Sequence, residues 1–119
     1  MSQEEHNLQC ACVKWFAYQH PELAGLLFAV PNGGARNAVT ASILKAEGVV
    51  AGVADLLLLV PSKGYHGMVI EMKRPTGRQS VSQREWQGDV TREGYRYAVC
   101  RSVTDFMDEV EGYLVDDKG

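Results

Sequence analysis

The residues of this chain best suited to chemistry are charges set into apolar sequence. Asp55 heads the run Leu56-Leu57-Leu58-Leu59-Val60, and Glu71 and Lys73 follow Met68-Val69-Ile70. Both runs read as core strands, apolar enough to be buried on both faces. A charge in such a place is costly unless it is paired or holds a metal. Side chains two apart on a strand share a face, so Glu71 and Lys73 project together while Met72 points away. If Asp55 begins the neighbouring strand, two carboxylates and a lysine converge at one strand end. With a backbone carbonyl and waters, that set suits the hard cations Mg²⁺ or Mn²⁺. A cation there would polarise a phosphate and activate water, which is the chemistry of phosphodiester hydrolysis. Lys73 then acts as an electrostatic and positioning group before a general base. The competing reading is structural: Asp55 caps a strand end, and Glu71–Lys73 is a partly exposed ion pair.

Those three residues need a sheet to hold them. Leu8, Ala11, Cys12, Trp15 and Phe16 recur at helical spacing, predicting an amphipathic helix over residues 3–18 that stops before Pro21. Residues 26–30 read as a buried strand entering the turn Pro31-Asn32-Gly33-Gly34. A second helix is expected over 38–47, with Gly48 ending it. Strands 55–60 and 68–73 flank a loop of turn formers and predict a hairpin. Ser80 and Gln83 have capping-box spacing for a helix over 80–93 ended by Gly94. A strand over 95–100 follows, and then a helix to Leu114 opened by Ser102 and Asp105 in the same kind of box. This order predicts an α/β fold, a mixed β-sheet flanked by helices in a single domain over residues 1–119.

Composition limits the partners. The 119 residues are 45% hydrophobic and 23% charged, as in a globular protein. No apolar run nears the roughly 20 residues that span a bilayer. The polar, acidic first residues are unlike a targeting peptide, so a cytoplasmic location is expected. Cys10, Cys12 and Cys100 lack disulfide-scaffold spacing and suggest reduced thiols. His6, Cys10 and Cys12 invite a zinc reading, but no second ligand pair follows, and buried or half-exposed thiols explain them better. The net charge of −3 means that nucleic acid would need local positive patches and divalent metal.

Seven ordered segments then point to one family. They are Glu5-His6-Asn7-Leu8-Gln9, Pro31-Asn32-Gly33-Gly34-Ala35-Arg36, Leu44-Lys45-Ala46-Glu47-Gly48, Gly52-Val53-Ala54-Asp55-Leu56, Ile70-Glu71-Met72-Lys73, the trio Ser80, Gln83 and Trp86, and Gly94-Tyr95. Together they resemble the VRR-NUC family, the virus-type replication–repair branch of the PD-(D/E)XK nucleases, over nearly the whole chain. The resemblance implies a restriction-endonuclease-like fold. It implies that Asp55 and Glu71 bind metal with the Met72 backbone carbonyl, and that Lys73 is the catalytic lysine. It places Glu5 near the metal, Gln9 beside it through a water, and Gln83 facing the site. Ala54 departs from the family's usual proline, which loses rigidity but no chemical group.

The secondary residues also have plainer readings. Glu5 suits a helix's first turn, and Gln83 also reads as a cap partner for Ser80. The glycine turn could be no more than a turn, or could bring backbone to a phosphate, with Arg36 and Lys45 as DNA contacts. Arg74, Arg78 and Arg84 form the densest positive stretch and the expected route for a DNA backbone. Trp15 and Trp86 read as core or interface before stacking platforms.

Small stand-alone members of the family look like dimeric enzymes that resolve branched DNA or Holliday junctions, often carried by phages. The expectation is therefore a homodimeric, Mg²⁺- or Mn²⁺-dependent endonuclease for four-way junctions, with no membrane partner. Trp15, Phe16, Met107 and Tyr113 are either interface or core residues, which the sequence does not distinguish. The alternatives are a nicking, flap or restriction-like nuclease with the same site, and a non-catalytic DNA-binding module.

Overall fold

The computed structural model describes residues 1–31 and 37–115. Helix α1 (Gln3–Gln19) leads through a 3₁₀ turn (Pro21–Leu26) into strand β1 (Leu27–Ala29) and helix α2 (Ala38–Ala46). Strands β2 (Leu56–Leu58) and β3 (Met68–Met72) follow, then helix α3 (Val81–Arg92), strand β4 (Arg96–Cys100) and helix α4 (Val103–Leu114). The sheet order is β1-β2-β3-β4, with β1–β2 and β2–β3 antiparallel and β3–β4 parallel through α3. The expected α/β architecture is present: a mixed sheet with helices on its faces.

Alternation along β3 sorts the layers. Met68, Ile70 and Met72 join Leu56, Leu58, Ala98 and Cys100 in the main core with Cys12 and Phe16 of α1 and Phe106, Val110 and Tyr113 of α4. Val69 points the other way, into a smaller cluster with Ala54 and Tyr97 that Trp86 and Val90 of α3 pack against. Glu71 shares the parity of Val69, so the site lies in the layer between the sheet and α3.

Local sequence sets the boundaries. Ser2 with Glu5, and Ser80 with Gln83, form complete capping boxes at α1 and α3. Ser102 accepts from the Asp105 N–H at 3.0 Å, but the Asp105 carboxylate turns to the Arg101 N–H at 2.9 Å. The expected reciprocal box at α4 is therefore only half formed. Gly48 and Gly94 follow their helices at φ 102° and 92°, as expected of terminating glycines.

Other expectations need correction. β1 is an edge strand, so only Leu27 is buried while Phe28 is 40% exposed. The run after Asp55 pairs only as far as Leu58, and Leu59 is 55% exposed. Ala11 faces solvent. Phe16 and Tyr113 are core residues, unavailable to a partner. Trp15 is half-buried and packs edge-on against Phe106. No helix among the described residues is long and apolar enough to cross a membrane.

The cysteines give a check on this packing. Cys10 is exposed, within 3.6 Å of His6, whereas Cys12 and Cys100 are fully buried. Burial pushes both buried thiols up to about 12. Since the thiolate is the reactive form, raising the pH from neutrality to about 10 leaves both protected. Disulfide-exchange labelling of the native protein should therefore find one fast thiol, and denaturation should release the other two. Fast reaction of all three before unfolding would contradict the core described here.

Candidate active site

The β2–β3 register pairs Leu56 with Ile70, and one further step sets Asp55 opposite Glu71. β2 has already ended there, which would leave the Met72 N–H without a strand partner. Asp55 supplies one: its Oδ2 accepts from the Met72 N–H at 2.7 Å. The N–H and C=O of one strand residue point to the same edge, so the Met72 carbonyl also lies on the Asp55 side. On the other edge the Lys73 N–H donates to the Cys100 carbonyl at 3.0 Å.

Among the described residues Glu71 is the one charged side chain that is buried, at 0% exposure. Lys73 Nζ stands 4.0 Å from Glu71 Oε2, too far for a hydrogen bond, and Oε2 has no hydrogen-bond partner. Glu71 Oε1 is crowded by comparison. It accepts from the Tyr97 hydroxyl at 2.5 Å and from Gln79 Nε2 at 3.2 Å. Burial first, then the bond and the charge of Glu71, push the Tyr97 phenol far above its usual range, so it acts as a fixed donor.

Burial also pushes the Asp55 carboxyl up, and the charges of Glu71 and Glu5 add to the shift. The Met72 N–H and Lys73 offset only part of it. Two carboxylates are thus held together with less positive charge than they need. Among the described residues, no three His, Cys, Asp or Glu side chains are grouped as a ready metal site. The donors on hand are Asp55, the orphaned Glu71 Oε2 and a backbone carbonyl, all hard oxygens that fit Mg²⁺ or Mn²⁺ with waters completing the shell.

Glu5 reaches this region from α1, but both its oxygens are engaged, by the N–H of Ser2 at 3.2 Å and of Arg74 at 3.1 Å. Burial alone would raise its pKa, yet those two bonds and the attraction of Lys73 outweigh it and hold the carboxyl below its usual range. One turn on, Gln9 has a buried Oε1 without a hydrogen-bond partner. Gln83 Oε1 accepts from the Ser80 N–H at 2.8 Å, completing the α3 cap.

These groups border an open cleft of about 970 Å³, whose lining includes Glu5, Gln9, Lys45, Asp55, Lys73 and Gln83. Glu71 sits just behind that wall, next to Lys73. Arg74, Arg78 and Arg84 are exposed, and Arg84 donates to the Gln79 carbonyl at 3.1 Å. Arg36, with the Asn32-Gly33-Gly34 turn, lies outside the described residues. Gly52 ties the approach to Asp55 against α3: a Cβ there would collide with the Ser82 backbone.

Four residues of the site carry no mark in the sequence. Tyr97 reads as an ordinary strand aromatic until the parallel register places it on the Glu71 face. Gln79 and Gln87, joined at 2.8 Å, lie on either side of the α3 cap, where no spacing rule marks them. Arg101 binds the carbonyls of Arg74, Pro75 and Gly77 at 2.9, 3.3 and 2.8 Å, fixing the loop between Lys73 and α3.

The family model of the VRR-NUC domain matches residues 1–104. The chain belongs to the VRR-NUC family. That makes it a nuclease domain, hence a hydrolase. A solved structure described as a VRR_NUC domain protein superposes with a TM-score of 0.83 at 23% identity, over 96% of this chain and 90% of the other. At that identity the likeness speaks for the VRR-NUC fold. No curated protein matches the chain.

Proposed function

We propose that this VRR-NUC domain is a metal-dependent, structure-selective DNA endonuclease whose substrate is the four-way junction, and that it works as a homodimer in the cytoplasm of a phage-infected cell. The observation that carries the metal dependence is Glu71 Oε2, a buried carboxylate oxygen without a donor, beside Asp55 and Lys73. Leaving such an oxygen unpaired is costly, and a cation relieves the cost. Asp55, Glu71 and the Met72 carbonyl would hold Mg²⁺ or Mn²⁺, with Glu5 reaching the site through water. When bound, the cation supplies Lewis acidity toward the phosphate and lowers the pKa of its water.

The chain's own residues do the rest. Lys73 lines the cleft and offsets negative charge on the phosphate as the bond breaks. Asp55 anchors the end of β3 through the Met72 N–H and keeps the carboxylates in register. Lys45 lines the cleft and Arg74, Arg78 and Arg84 are exposed, and together they would give an otherwise acidic protein local positive charge for phosphates. Gln83 completes the α3 cap at the rim. So small a domain has little surface for reading bases, which favours recognition of DNA shape. Two such sites related by a twofold axis suit symmetrical cuts in a junction.

The test is cleavage of four-way junction, flap, single-stranded and linear duplex DNA, with Mg²⁺ or Mn²⁺ and with a chelator. Paired cuts in the junction, lost on chelation, are expected. A preference for flaps contradicts the junction assignment alone. Failure to cut any substrate with metal present favours a non-catalytic DNA-binding module.

A further inference from the structure

The two oxygens of Glu71 are treated differently. Oε1 receives both available donors, the Tyr97 hydroxyl and the Gln79 amide, while Oε2 receives none. A carboxylate only accepts, so Gln79 must present its NH₂ group to it. The second hydrogen of that group is taken by the Gln87 side-chain oxygen Oε1 at 2.8 Å, which fixes the amide's orientation. Each donor is itself held. The Tyr97 ring is buried and packs edge-on against Trp86 at 6.1 Å. The Gln79 backbone is gripped by Arg84, and the loop before it by Arg101. None of Gln79, Gln87, Tyr97 and Arg101 lies in the segments that carry the family resemblance.

We infer that Tyr97 and Gln79 are positioning residues that lock Glu71 by Oε1 so that Oε2 is the oxygen offered to the divalent cation. The inference rests on the metal reading of Asp55 and Glu71 given above. A carboxylate free to rotate about its last bond would lose entropy on binding metal and would offer either oxygen. One clamped from behind has lost that freedom already. Partners of this kind orient a ligand without touching the metal, and their loss usually weakens metal binding about 10–100-fold. Tyr97→Phe keeps the ring and its packing and removes only the clamp. Gln79→Ala removes the longer, half-exposed bond and should cost less, about tenfold. The cost should fall on metal affinity, so cleavage by Tyr97→Phe should recover toward the wild-type kcat at saturating Mn²⁺.

The experiment is a calorimetric titration of DNA-free protein with Mn²⁺ for the wild type, Tyr97→Phe, Gln79→Ala and Tyr113→Phe. Tyr113 is the control, a buried tyrosine whose hydroxyl bonds the Val60 carbonyl at 2.6 Å in the other core. The expected result is a Kd raised about 10–100-fold in Tyr97→Phe and about tenfold in Gln79→Ala, with Tyr113→Phe unchanged. Wild-type affinity in both Tyr97→Phe and Gln79→Ala overturns the inference and leaves the metal site standing. An equal loss in Tyr97→Phe and Tyr113→Phe also overturns it, since general loosening then explains both. Absence of Mn²⁺ binding by the wild type overturns the metal reading itself.

Discussion

Glu71→Gln is expected to abolish cleavage while leaving the metal-free protein at least as stable as the wild type. Glutamine has the same shape, and its carbonyl oxygen still accepts from Tyr97 and Gln79 at the Oε1 position. What disappears is a buried negative charge whose second oxygen has no donor. An unpaired buried charge is costly, and a neutral side chain of the same shape relieves that cost. Lys73 loses its ion pair, but it lines the cleft and water can replace the contact. Activity should fall by more than the roughly 100-fold typical of residues one step removed from a metal.

Asp55 gives the pH dependence of that stability difference. Its carboxyl titrates above its unfolded value, through burial first and then the charges of Glu71 and Glu5. A raised pKa favours folding in acid, and that contribution is lost as pH rises through the folded-state pKa. Removing the Glu71 charge relieves Asp55, so the advantage of Glu71→Gln should be largest at neutral pH and shrink in acid. Thermal melts with chelator across that range measure it. A large drop in metal-free melting temperature at pH 7 would mean that the Glu71 charge is satisfied after all.

Lys73→Ala should reverse the stability effect while also losing activity. It removes the cation that stands 4.0 Å from Glu71 Oε2 and leaves a buried carboxylate with less compensation. Stranding a buried group costs about 1–3 kcal/mol, so the metal-free variant should melt earlier. Mn²⁺ affinity should hold or rise, because a competing positive charge has gone. Cleavage at saturating metal should fall about 10²–10³-fold, the range for losing one preorganised group that faces developing charge. Arginine should rescue poorly, since its planar fork is larger than an ammonium point charge. Cleavage within tenfold of wild type would remove Lys73 from the chemistry.

Much of this site was legible in the sequence because strand parity is a local rule. Glu71 and Lys73 had to share a face, and the short apolar runs had to pair as a hairpin, which fixed Asp55 opposite Glu71 once the register followed. The Ser80–Gln83 spacing marked the start of α3 and Gly94 its end, and ordered motifs supplied the family. The remainder depends on register between distant segments. Nothing in Arg96-Tyr97-Ala98-Val99-Cys100 says which of its residues meets Glu71, since parallel pairing across a helix is a long-range outcome. Gln79 becomes a partner only because Arg101, 22 positions further on, holds its loop. The exposure of Phe28 could not be read either, because an edge strand and a central strand share the same apolar pattern.

Asp55 in the cleft wall and buried Glu71 beside it are proposed to hold one divalent cation. Equilibrium binding of Mn²⁺ to DNA-free wild type and Glu71→Gln, followed by the paramagnetic signal of the free ion, tests it most directly. Saturable binding to the wild type that is lost in the folded Glu71→Gln variant is the predicted result. Equal binding by the two proteins, or none by either, would contradict it.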